Sequence, residues 1–102
     1  MDFNKMMKQA EQMQKEMQKA QVELQAKQFT GSANNGLVKV TINGDTQLKS
    51  VELDDSIVNV EDKEMLQDMI CLAVNDAIKN LDNAKVEMMS KVTSGLEMPG
   101  LR

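Results

Sequence analysis

The stretch FNKMMKQAEQMQKEMQKAQVEL, residues 3–24, decides how this chain must be built. Within it Phe3, Met6, Ala10, Met13, Met17, Ala20 and Leu24 recur at spacings of 3, 4, 3, 4, 3 and 4. That is an apolar line at the a and d positions of about three heptads. The residues between are mostly Gln, Lys and Glu, good helix formers, with no Gly or Pro to interrupt them. Asp2 or Asn4 suits the start of this helix, as a cap and at the positive end of the dipole. Such a rod cannot bury its own line. It needs a facing helix, from this chain or from a second copy.

Downstream the pattern changes. Gly31, Ser32, Asn34, Asn35 and Gly36 form a turn-rich run, beside which Phe29, Thr30 and Ala33 fit a short edge strand. Leu37 to Ile42 alternates, with Val38, Val40 and Ile42 on one face and Lys39 and Thr41 on the other. Asn43-Gly44-Asp45 predicts a hairpin, since Asn and Gly tolerate positive φ. The returning strand spans Gln47 to Leu53. Its alternation slips between Leu48 and Val51, which predicts a bulge.

A second helix is expected from near Asp62, with acidic residues in its first turn. Met65, Leu66, Met69, Ile70, Ala73, Val74, Ala77, Ile78 and Leu81 spread over roughly 220° of its surface, wider than a single core-facing stripe of about 100°. That width predicts burial on two sides, by the sheet and by something else, for which a dimer partner is the simplest candidate. Asp82-Asn83 marks a possible break and restart, and Ala84, Met88 and Val92 continue the pattern to about Thr93. Gly95 and Pro99-Gly100 then stop the helix. The fold class is α+β in one domain: a long helix over 1–28, an antiparallel sheet over 29–54, a helical segment over 62–93 and a loose tail over 94–102.

Composition narrows the function. The 102 residues include no His, so the commonest general base and transition-metal ligand is missing. No Ser or Cys nucleophile has a His partner, and no glycine-rich phosphate loop exists. Asp54, Asp55, Glu61, Asp62 and Glu64 lack the glycine and alternating oxygen ligands of a calcium loop, and read as strand-end and helix-start acids. No catalytic residue, cofactor, metal or small-molecule substrate is expected. The single Cys71 excludes an internal disulfide, fits a reducing cytosol, and reads as a buried small hydrophobe. No apolar run approaches the roughly 18 residues of a membrane span, and the polar N-terminus does not read as a signal peptide.

One polar feature has geometry behind it. On a helical projection Lys5, Lys8, Lys15 and Lys19 fall in an arc of roughly 80°, with Gln12 inside it. The arc lies roughly opposite the apolar line, and Glu11 and Glu16 flank it. It reads as a face that tracks phosphates through point charges, or as an ordinary solvated face. The overall charge of −4 opposes nucleic-acid binding. The charge is divided, however: residues 1–49 carry +2 and residues 50–102 carry −6.

Met6-Met7-Lys8-Gln9-Ala10-Glu11-Gln12-Met13-Gln14 resembles the N-terminal signature of the YbaB/EbfC family of bacterial nucleoid-associated proteins. Gly36-Leu37-Val38-Lys39-Val40, Asn43-Gly44, Glu64-Met65-Leu66 with Asp68, Asn75-Asp76-Ala77, and Thr93, Gly95, Pro99 and Gly100 also fit, in order, over nearly the full chain. Asp55 departs from the family pattern, which usually has Pro there; the change touches only the loop after the sheet. The resemblance implies a tweezer-like homodimer with a three-stranded antiparallel sheet in each chain. It further implies helical arms between which double-stranded DNA is proposed to lie, a cytoplasmic, nucleoid-associated location, effects on gene expression, and no enzyme activity. It supplies no catalytic residues. Lys8 falls within the matching signature, while Lys5, Gln12, Lys15, Lys19, Lys91 and Arg102 are candidates for DNA contact on electrostatics and position. Two rivals stay open. One is a protein-interaction module that uses the heptad line or the Met-rich face of the second helix. The other is a coiled-coil dimer with no ligand.

Overall fold

The computed structural model describes residues 2–95. Helix α1 spans Phe3–Ala26, strands β1, β2 and β3 span Gln28–Ala33, Val38–Asn43 and Leu48–Leu53, and helix α2 spans Lys63–Gly95. Short 3-10 turns at Asp55–Ile57 and Val60–Asp62 lead into α2. The strands form one antiparallel sheet in the order β1-β2-β3, so the fold is α+β. The tail from residue 96, with the candidate Arg102, lies outside the described residues.

Helix α1 starts where the Asp2 side chain accepts a hydrogen bond from the Asn4 amide at 3.2 Å. It ends at Lys27, whose backbone is extended and leads directly into β1. The expected break at Asp82-Asn83 does not occur, and α2 runs unbroken through both residues. Asp and Asn cost a helix only about 0.7 kcal/mol each relative to Ala. Leu81 and Val92 on either side are buried, with Ala84 and Met88 half-buried between them. Burial along that face outweighs the local preference for a cap.

The core forms where β2 meets α2. Val38, Val40 and Ile42 are buried against Ala73, Ala77 and Leu81. Two alanines at i and i+4 make this helix face nearly smooth, so the sheet can approach its backbone. Gly31 of β1 uses that freedom: a Cβ there would run into the Ala73 carbonyl and the Ala77 amide, and would lie 2.8 Å from the Ala77 Cα. Two α2 side chains then complete β1. The Ser32 amide donates to Asp76 Oδ2 at 3.0 Å, and Asn80 Nδ2 donates to the Thr30 carbonyl at 2.7 Å. Two backbone groups on the outer edge of β1 are thereby satisfied.

The hairpins follow from special backbone positions. Asn34, Asn35 and Gly36 all have positive φ and turn β1 into β2. In the second hairpin the positive φ falls on Thr46, at 67°, and not on the expected Asn43-Gly44. The Thr46 amide donates to the Asn43 carbonyl at 2.9 Å, closing a three-residue loop whose last position usually belongs to Gly. Gly44 is needed for a different reason. It packs on the end of α1, where a Cβ would strike the Leu24 carbonyl, and its amide donates to the Lys27 carbonyl at 3.0 Å. The expected bulge is present: Thr41 pairs with Ser50 and Ile42 with Leu48, leaving Lys49 as the extra residue.

The acidic residues after β3 act locally. Asp54 accepts from the Ser56 amide at 2.9 Å, and hydrogen bonds from that amide and the Ser56 hydroxyl hold its carboxyl below the ordinary carboxylate value. Asn59 caps the next turn by accepting from the Glu61 amide at 3.1 Å. Cys71 is exposed, not buried as expected. It sits roughly 160° around the helix from Ala73 when counted at 100° per residue, so the sheet cannot cover it.

Two substitutions test this packing by urea unfolding. Gly31→Ala forces β1 off α2 and is expected to cost about 3 kcal/mol or more. Thr46→Gly relieves a β-branched residue of left-handed strain and is expected to stabilise by about 0.5–1 kcal/mol after Gly's own entropy cost.

Candidate nucleic-acid interface

Helix α1 is held to the rest of the chain at one end only. Leu24 is buried and Ala20 half-buried, and beside Phe29 they face Ala84, Met88 and Val92 of α2 across a shallow groove. Toward the N-terminus nothing among the described residues covers the helix. Phe3 is 71% exposed, and Met6, Met7 and Met13 are exposed with it. The heptad line is therefore divided: its last turn packs within the chain, and its first half has no partner among the described residues. The molecule measures 71 × 25 × 15 Å, with a radius of gyration of 20.0 Å. A compact chain of this length would have about 13 Å.

Lys8, Gln12, Lys15 and Lys19 come together with Glu11 and Glu16 along one continuous face of α1. Lys5 stands about one turn nearer the N-terminus. At 1.5 Å per residue, Lys5 to Lys19 extends about 21 Å, the length of about six base pairs of duplex. All five residues are exposed. The ammonium groups of the four lysines ride on flexible stems, which suits phosphate contact more than base recognition. Glu11 and Glu16 on the same face dilute its positive field.

Lys91 does not join this face. It lies on α2 at the groove against α1, with Glu23, Lys27 and Glu87. Its neighbour Lys27 is not marked by the spacing of the lysines along α1. At 100° per residue Lys27 lies outside the arc of the other lysines, and only the packing of Leu24 near Val92 brings it close to Lys91. The nearest hint was its place one turn after Glu23 and immediately after the last apolar residues of α1. No group of three or more Cys, Asp or Glu among the described residues is placed to hold a metal ion. No described helix is long and apolar enough to cross a membrane.

Residues 1–96 match the model of the YbaB/EbfC DNA-binding family. The chain belongs to this family. A nucleoid-associated protein of Clostridium novyi (strain NT) is 45% identical over 101 residues, covering 99% of this chain and 89% of the relative. The crystal structure of an uncharacterized protein from Helicobacter pylori superposes with a TM-score of 0.75 at 27% identity, covering 91% of this chain and 98% of that one. Family membership and the α+β fold of this YbaB/EbfC chain thus agree.

An arm held at one end makes a prediction for hydrogen exchange. In DNA-free protein, amides of residues 6–16 are expected to exchange at least tenfold faster than those of residues 73–81, because only the latter lie under the sheet. Mass spectrometry of pepsin fragments reads the difference. Equal protection of the two segments would show that the arm is covered.

Proposed function

We propose that this protein binds double-stranded DNA as a homodimer, chiefly through phosphate contacts and with weak sequence preference. In this role it organises the nucleoid and modulates gene expression in the cytoplasm. The observation that carries the proposal is the projecting α1, with Lys8, Gln12, Lys15 and Lys19 on one exposed face, in a member of a DNA-binding family. The name of the Clostridium novyi relative supports the nucleoid role. Two copies would present two such faces to one duplex, and the backbone would be gripped from both. The acidic second half of the chain would keep the remaining surface from adhering to the same polyanion. The role needs no catalysis and no cofactor: the lysines act as positioned charges.

The uncovered half of the heptad line favours a second reading, capture of another protein's helix by Phe3, Met6 and Met13. The two readings differ in their response to charge. Lys8→Glu/Lys15→Glu/Lys19→Glu is expected to abolish DNA binding under the first reading. Under the second it leaves capture of a protein partner largely intact.

Fluorescence anisotropy of a labelled mixed-sequence duplex, titrated over a salt series, measures the contact. Affinity is expected to fall with a log–log slope of about −0.9 per phosphate neutralised. Replacing Lys15 alone by Gln should make the slope shallower by about one unit for each phosphate lost and weaken all sequences alike. Binding that is indifferent to salt, or absent at low salt, would contradict the proposal.

A further inference from the structure

The apolar line and the lysine face of α1 lie on opposite sides of one helix. With Phe3, Ala10 and Met17 at a and Met6, Met13 and Ala20 at d, Lys8 and Lys15 fall at f and Lys5 and Lys19 at c, the outer positions of a heptad. The base of the line is used within the chain, where Leu24 and Ala20 meet the stretch of α2 from Ala84 to Val92. Beyond that base Phe3, Met6, Ala10 and Met13 are exposed. Nothing among the described residues lies on them. The repeat itself says what fits there. A period of 3.5 residues keeps a line facing another helix that winds about it, and a flat or irregular partner has no need of it. Charge narrows the choice. From Phe3 to Met17 the flanking e and g positions are Met7, Gln9, Gln14 and Glu16, which give a strongly basic or acidic helix little to pair with. A second α1 has the matching period and the same near-neutral flanks.

We infer that the outer half of α1 pairs antiparallel with the α1 of a second molecule, apolar line to apolar line, so that the joined arms carry lysine faces on opposite sides and hold two DNA duplexes together. The inference rests on the DNA-binding reading for the duplexes and adds to it what the apolar line is for. The direction follows from α2. It occupies the line at the base of each arm, so a parallel partner would bring a second α2 to the same place. An antiparallel partner brings its slender tip there instead. Side-chain sizes agree with that direction. Phe3 of one arm then lies beside Ala20 of the other, Met13 beside Ala10, and Met6 beside Met17, mostly a bulky residue against a small one. On the flanks Gln9 meets Glu16 and Met7 meets Gln14, so no like charges oppose each other along the middle. Two helices packed about 10 Å apart, each about 10 Å thick, set their outer faces about 20 Å apart. Lysines turned to one duplex thus leave the line turned away from it, toward another copy. The contact is one helix wide and about 21 Å long, less than the about 800 Å² that a standard interface takes from each partner. It is therefore weak between free molecules and gains from copies already gathered on DNA.

Retention of one duplex by another tests the inference. Beads carrying a mixed-sequence duplex are mixed with protein and a second, labelled duplex. The wild type is expected to retain the label. Met6→Gln/Met13→Gln is expected to match the wild type in single-duplex anisotropy to within about twofold, yet to retain at least tenfold less of the label. Equal retention by this variant, with its helical circular dichroism kept, overturns the inference. A wild type that binds single duplexes but retains no label overturns it too, and leaves the DNA-binding reading standing. A wild type that binds no duplex overturns that reading, and a readout without DNA then decides the pairing of the arms. Cys71→Ser/Ala10→Cys and Cys71→Ser/Met13→Cys are oxidised separately and as a mixture at high protein concentration. The mixture is expected to give several-fold more disulfide-linked product of twice the chain mass than either variant alone, because the antiparallel register sets position 10 of one arm beside position 13 of the other. Equal product from the separate variants overturns the register. Absence of product overturns the pairing, whether residues 96–102 of the same chain or the helix of another protein then cover the line.

Discussion

The approach of Gly31 to the backbone of α2 is the contact on which the remaining geometry depends. Helix and strand meet with no side chain between them, because Gly31 has none and Ala73 and Ala77 have little. Dispersion and the burial of Val38, Val40 and Ile42 draw the layers together. Asp76 and Asn80 then fix the sliding coordinate by taking the free backbone groups of β1. Once α2 is placed over β1 and β2, two other features follow. Its remaining length extends beyond the sheet to receive Leu24, and its far flank is left beside an uncovered β3.

Periodicity made much of this legible. The 3-4 spacing of residues 3–24 and the alternation of Val38, Val40 and Ile42 each report a local repeat against one surface, and local repeats survive in a sequence. The slip near Leu48 likewise reported its own bulge. What could not be read depended on contacts distant along the chain. Asp82-Asn83 looked like a cap, because the preference of those residues is local while the burial that overrides it comes from α1 and the sheet. Gly44 looked like a residue chosen for positive φ, but its role is to admit the end of α1, more than fifteen residues earlier. Cys71 looked buried because its neighbours are apolar, although a helix with apolar residues on two flanks has only one of them covered within the chain.

The lysine face shows the same division. Lys5, Lys8, Gln12, Lys15 and Lys19 belong to one helix, so spacing alone could gather them. Lys27 and Lys91 come close only through the meeting of two helices. Net charge is a poor guide for the same reason: the acidic residues of the second half are carried mostly by α2 and the turns before it, while α1 stands apart from them. A negatively charged protein can in this way expose a locally basic arm.

The base of that arm is confined to its last turns: Leu24 and Ala20 against α2, the fit of Gly44 beneath them, and the hydrogen bond from the Gly44 amide to the Lys27 carbonyl. From Leu24 to Phe3 the helix extends about 31 Å. It is a stiff lever on a small fulcrum, and a rotation of about 10° at the base sweeps the tip through about 5 Å. Any small change in the packing at Leu24 is therefore magnified at Phe3, while the folded core is left as it is.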